Sequence, residues 1–100
     1  MPVSPFNVEE WIDVFPALDN PERFNILIYL SNNGPKLFSE IKTEFKIESS
    51  SSVEHHLNKL MNAQLIENSF KKPPNGARGH SYYTVTERGQ KILDILLNID

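Results

Sequence analysis

Ser50, Ser51 and Ser52, followed by His55, Asn58 and Lys59, place hydroxyls, an imidazole, an amide and an ammonium within ten residues. All of these groups form hydrogen bonds. Small polar groups of this kind suit the base edges of a duplex, where each base pair shows its own pattern of donors and acceptors. A second set, Lys71, Lys72, Arg78 and His80, lies in a stretch with no acid. Cations gathered in this way suit phosphate oxygens, which supply affinity with little regard to sequence. No serine has a neighbouring base at a recognisable spacing, and no two carboxylates are arranged for acid–base work, so the sequence argues against an enzyme. Gly34, Gly76, Gly79 and Gly89 lack the spacing of a phosphate-binding loop. His55 and His56 are adjacent, so on a helix they point about 100° apart and cannot ligate one metal ion from that helix. His56 reads as a structural residue and His55 as the contact.

The elements that must carry these groups can be read from local signals. Val53, Leu57, Leu60 and Met61 recur at helical spacing, and the serines before them suit a cap and a first turn, so a helix runs over about 50–62. Ser51 with Glu54 has capping-box spacing, and Ser49 is an equal candidate for the cap. Phe38, Ile41 and Phe45 predict a shorter helix just before it, preceded by a brief extended segment at Leu37. Leu65–Phe70 and Ser81–Thr86 read as two strands, joined by a tip over 71–80 that holds two prolines and two glycines. Upstream, Asn20-Pro21-Glu22 starts a central helix that Asn33-Gly34-Pro35 ends. Val8, Trp11, Ile12 and Phe15 form one stripe of an N-terminal helix over about 8–15, which Pro16 should end or kink. Thr86 caps a last helix over about 87–98, whose apolar residues cover more than one face.

The chain has 100 residues, which predicts a single domain over 1–100. There is no cysteine, so neither disulfides nor thiolate metal sites are available. A small core without disulfides favours oligomerisation. Net charge is −3, but it is unevenly spread. Residues 1–22 carry five carboxylates and no base, whereas residues 71–80 carry three cations and no acid. An acidic body with one basic segment meets a polyanion through one face only. No stretch is apolar for long enough to span a bilayer, and Met1–Phe6 does not read as a signal peptide, so a cytoplasmic location is expected.

The predicted class is mostly α with a small β-hairpin (α+β), in the order of a winged helix-turn-helix. Three stretches carry a more specific likeness: Phe38-Ser39-Glu40-Ile41; Ser52-Val53-Glu54-His55-His56-Leu57-Asn58-Lys59-Leu60 with Ala63-Gln64-Leu65-Ile66; and Tyr83-Thr84-Val85-Thr86-Glu87-Arg88-Gly89. Together they resemble the ArsR-type winged-helix regulators over roughly residues 17–98, although MarR-like winged helices share the general order. The resemblance implies a dimeric DNA-binding repressor or activator whose first and last helices form the dimer interface. Metal-sensing members carry cysteines or last-helix ligands. This chain has no cysteine and no histidine in its last helix, so no metal or other cofactor is expected. Glu54 also departs from the small polar residue common at its position.

The expectation is therefore a regulator that reads double-stranded DNA with the helix at about 50–62 and a basic wing at about 70–81. Ser50, Ser51, Ser52, His55, Asn58 and Lys59 would meet the groove. Lys71, Lys72, Arg78 and His80 would meet the backbone or minor groove. Trp11, Ile12, Phe15, Ile92, Ile95, Leu96 and Ile99 would form the homodimer seam, where an organic small-molecule effector stays open. The rival is a winged helix used for protein–protein contacts in a transcription or replication assembly, which an apolar patch over the recognition helix would favour.

Overall fold

The structure, a computed structural model, describes residues 12, 14–72, 74–76 and 78–98. Trp11, Ile99 and most of the expected helix over 8–15 lie outside these residues. The first described helix, α1, spans Val14–Leu18. The sequence predicts an end or kink near Phe15, but α1 runs through Pro16. Proline is tolerated there because the amides of a first helical turn have no intrahelical acceptor to lose. Val14 and Ala17 are buried, and Phe15 is exposed.

Helix α2, Pro21–Asn33, has the predicted punctuation. The Asn20 side chain accepts the Arg23 amide at 3.0 Å, and Gly34 closes the other end with φ +80°, a conformation that L side chains rarely adopt. Strand β1, Lys36–Leu37, leads into α3, Phe38–Glu44, where the Glu40 carboxylate accepts the Leu37 amide at 2.8 Å. Helix α4 spans Ser50–Asn62. Ser49 is its cap, accepting the Ser52 amide, so the Ser51–Glu54 capping box does not form.

Helices α3 and α4 end in the same way. Ile47 donates to the Lys42 carbonyl and Lys46 to that of Thr43; Leu65 donates to Leu60 and Gln64 to Met61. These are Schellman closures, and the left-handed position is held by Lys46 (φ 52°) and Gln64 (φ 61°) rather than by glycine.

Strands β2, Ile66–Lys71, and β3, His80–Val85, pair antiparallel from Ile66–Val85 out to Lys71–His80. The extended segment at Leu37 becomes a third strand: β1 pairs with β3 through Lys36–Tyr83 and Leu37–Tyr82, giving the order β1-β3-β2. Helix α5, Glu87–Leu97, begins at the Thr86 cap. Its first turn lies so close to β2 that a Cβ at Gly89 would run into the Leu65 carbonyl.

The core joins Ile26, Leu27 and Leu30 of α2, Ile41 of α3, Val53, Leu57 and Leu60 of α4, and Ile92 and Leu93 of α5. Ile92 was expected in the dimer seam, but it is fully buried inside the monomer. The apolar circumference of α5 is divided instead: Ile92 and Leu93 face inward, while Leu96 and Leu97 are exposed and Ile95 is half-buried. Among the described residues no helix is long and apolar enough to cross a membrane.

Candidate nucleic-acid interface

Burial of Val53, His56, Leu57 and Leu60 fixes the orientation of α4. The opposite face then carries Ser51, His55, Asn58 and Asn62, spaced i, i+4, i+7 and i+11, and all four are exposed. This ridge offers hydroxyl, imidazole and two amides in a line. Asn62 was not singled out from the sequence, although it repeats the position of Asn58 one turn on. Ser52 and Lys59 are exposed to one side of the ridge. Lys59 and Asn62 line a shallow cleft with Pro16, Ala17 and Ala63, so Lys59 lies toward α1.

The serine run is more than a cap. Ser49 Oγ lies 2.7 Å from Ser51 Oγ, and Lys42 of α3 donates to Ser50 Oγ at 2.9 Å. These bonds fix the N-terminal turn of α4 against the turn and the helix before it. Glu54 is exposed on the α4 flank, and Glu40, Glu44 and Glu48 are exposed nearby in sequence on and after α3. The positive contribution at this end of the molecule therefore comes from Lys42, Lys46 and Lys59 and from the amides of the α4 N-terminus.

The wing gathers three of its four predicted groups. Lys71, Lys72 and His80 line one cleft of about 240 Å³ together with Pro35 and Tyr82. Lys71 and His80 are direct cross-strand partners, which places an ammonium and an imidazole side by side on the same face of the sheet. Arg78 is exposed in the tip and does not line that cleft. On the other face Phe70 is 66% exposed, and its ring lies over Gly79, where any Cβ would collide with it.

Two polar residues that the sequence left out as a pair are buried together. Arg23 is 6% exposed and His56 8%. Arg23 Nε donates to His56 Nδ1 at 3.3 Å, and its guanidinium also donates to the carbonyls of Pro16 (3.1 Å) and Ala17 (3.2 Å). His56 Nε2 lies 3.0 Å from Glu22 Oε1. Arg23 falls on the stripe of Ile26, Leu27 and Leu30, and His56 on that of Val53, Leu57 and Leu60. A charged or polar side chain at a stripe position on each of two helices was the available signal. Among the described residues no group of three or more His, Cys, Asp or Glu could hold a metal ion.

This combination of helical core, polar outward ridge and two-stranded wing has relatives. Residues 20–68, from the α2 cap through the start of β2, match the family described as bacterial regulatory protein, arsR family. The chain carries an ArsR-type helix-turn-helix domain within a winged-helix fold. Its class is that of DNA-binding transcription regulators, not of enzymes.

Solved structures agree on the fold. The reduced form of the transcriptional regulator YodB from B. subtilis superposes with a TM-score of 0.73 at 21% identity, over 96% of this chain and 86% of that one. The solution structure of Mb0332 from Mycobacterium bovis, described as a homodimeric winged helix-turn-helix DNA-binding domain and a possible ArsR-family regulator, gives 0.71 at 20% identity over 90% and 77%. A putative MarR-family regulator from Enterococcus faecalis gives 0.74 at 14% identity over 97% and 86%. The winged-helix shape is thus shared across families, and the family assignment rests on the sequence match to α2, α3 and α4. Among curated proteins, none matches the chain significantly.

Proposed function

We propose that this ArsR-like regulator binds duplex DNA as a homodimer acting in the cytoplasm. The α4 ridge enters the major groove, and the wing holds the flanking backbone. Ser51, His55, Asn58 and Asn62 face the base edges, with Ser50, Ser52 and Lys59 at the margins. Lys71, Lys72 and His80 form a phosphate seat, and Arg78 reaches the backbone or minor groove from the tip. The observation that carries this reading over a protein-docking module is the character of α4. Among the described residues the exposed large apolar side chains are Ile12, Phe15, Phe70, Leu96 and Leu97, and none lies on that helix.

The same set supports the dimer. Ile12 before α1 and Phe15 within it, with Leu96 and Leu97 at the end of α5, are apolar and exposed. Mb0332, similar in fold, is described as homodimeric. Ile12, Phe15, Ile95 and Leu96 stay in the proposed seam, Leu97 joins them, and Ile92 leaves it.

Fluorescence anisotropy with random duplex DNA across a salt series tests the reading. The parent should bind at low salt and weaken steeply as salt rises. Arg78→Ala should weaken binding without regard to sequence and flatten the log–log salt slope by about one. No binding at low salt would transfer α4 and the wing to a protein partner.

A further inference from the structure

We infer that Arg23 is a positioning residue for the recognition helix, acting through a neutral His56 held as its Nε2–H tautomer. The inference rests on the DNA-binding reading only for its consequence; the geometry stands without it. Arg23 Nε–H can only donate, so the His56 Nδ1 it meets at 3.3 Å must be the unprotonated nitrogen. The remaining nitrogen, Nε2, then carries the proton and donates to the Glu22 carboxylate at 3.0 Å. Both contacts are satisfied by one protonation state and one tautomer.

Arg23 joins three elements. Its NH1 group caps the end of α1 by donating to the Pro16 and Ala17 carbonyls, which have no later turn to bond them. Its own backbone amide is taken by the Asn20 cap of α2. Its Nε holds the buried face of α4. Asp19, 75% exposed, lies 3.9 Å from NH1 and adds a weaker attraction from solvent. Apolar contacts tolerate small rotations of one helix on another, because they have no preferred direction. A directional bond on His56 is more restrictive. His56 and His55 are neighbours on α4, so rotation of the helix that strains the first also displaces the second from the ridge. Arg23 therefore links the end of α1, beside the exposed Ile12 and Phe15, to the rotational setting of the groove-reading face.

Two variants separate the two bonds of His56. In His56→Asn the amide oxygen occupies the place of Nδ1 and can still accept from Arg23. In His56→Gln the amide reaches the place of Nε2 and can still meet Glu22, but Arg23 loses its acceptor. Three measurements on the full chain decide the matter. Long-range ¹H–¹⁵N correlation spectra should show His56 as the Nε2–H tautomer; the Nδ1–H tautomer would overturn the inference. Amide exchange, without DNA, should quicken in α4 relative to α2 in His56→Gln and stay near the parent in His56→Asn; equal behaviour of the two variants would also overturn it. Last, a duplex selected for tight binding to the parent is compared with random duplex. Loss of a buried bond to a charged donor should lower the selected-to-random affinity ratio about tenfold in folded His56→Gln, with His56→Asn close to the parent. A ratio, unlike an affinity, is unmoved by partial unfolding. If the parent itself prefers no duplex, the DNA-binding reading fails, and the tautomer and exchange results still decide the positioning role.

Discussion

Helix α4 and the wing are both assigned to DNA, yet they are held in opposite ways. Four residues of α4 are buried, its first turn is capped by Ser49 and tied to α3 through Lys42, and its buried face is bonded to Arg23. The wing is anchored at one end only. Ile66 is buried at the base of β2 and Tyr83 and Val85 of β3 pack against the core, but further out Phe70, Lys71, His80 and Ser81 are all exposed, so the outer end of the ladder rests mainly on backbone pairing. Base recognition needs donors and acceptors held to a fraction of an ångström, whereas attraction between an ammonium and a phosphate survives displacement. The rigid element therefore suits specificity and the loose one affinity. The two should respond differently to mutation.

The largest contrast should come from truncation inside α4. Leu57 is 1% exposed and packs at the centre of the core. Leu57→Ala should destabilise the fold by about 2–5 kcal/mol through lost burial and the cavity left behind. Lys72→Ala, in the wing, should leave the urea midpoint within about 0.5 kcal/mol of the parent while lowering affinity for any duplex. Chemical denaturation of both variants, alongside anisotropy, checks this. A Lys72→Ala protein as unstable as Leu57→Ala would show that the wing is part of the core, and the contrast would be lost.

A smaller effect should appear where the wing base meets α5. At Gly89 an added methyl would strike the Leu65 carbonyl and crowd Val85 Cγ1 at 3.0 Å. Alanine brings roughly 1 kcal/mol of helix propensity, but forcing atoms into a packed site costs about 1–3 kcal/mol, and here the obstacle is backbone. Gly89→Ala should therefore lower stability by about 1 kcal/mol, read as a fall of several degrees in Tm. A rise in Tm would mean that α5 shifts freely against β2, which the bonds from Thr86 Oγ1 to Gln64 O (2.7 Å) and from Thr86 N to Leu65 O (3.0 Å) oppose.

The parts of this architecture that local chemistry dictates are those readable in advance. Asn20, Pro21, Gly34 and Thr86 bracket α2 and α5 because caps and breakers act within one turn of themselves. Ser51, His55 and Asn58 of the outward set on α4 followed from helical periodicity in the same way, whereas Asn62 was passed over. Long-range choices were hidden. Nothing near Leu37 says that it pairs with Tyr82, so the third strand showed only as an extended segment. The last helix offered five apolar residues between 92 and 97, and periodicity could not decide that Ile92 turns inward while Leu97 turns out. Pro16 misled because its effect depends on where the helix starts, and α1 starts at Val14. Arg23 and His56 were missed as a pair because His56 reads as structural without a partner and arginine is a common surface residue, and only their stripe positions on two separate helices betray the contact.

The closure of α3 and α4 by Lys46 and Gln64 was equally invisible, since the usual marker of a left-handed cap is glycine. Gln64 sits at the junction between the rigid helix and the wing. Its φ of 61° is unfavourable for a residue with a Cβ, at a cost on the order of 1 kcal/mol. Its structural bonds belong to the backbone: its amide donates to Met61 O at 2.9 Å, and its carbonyl accepts from Thr86 Oγ1. Both survive replacement by glycine. Against the relief stands the greater freedom of glycine in the unfolded chain, about 0.4–1 kcal/mol. The two nearly cancel, and Gln64→Gly should raise stability by no more than about 0.5 kcal/mol, with the urea m-value and the selected-to-random DNA ratio unchanged. A clear loss of stability would show that the exposed Gln64 side chain contributes to the junction. A fall in the DNA ratio at constant stability would be the more telling result, since it would mean that the wing does help to set the angle of α4 and that rigidity is shared between the two regions.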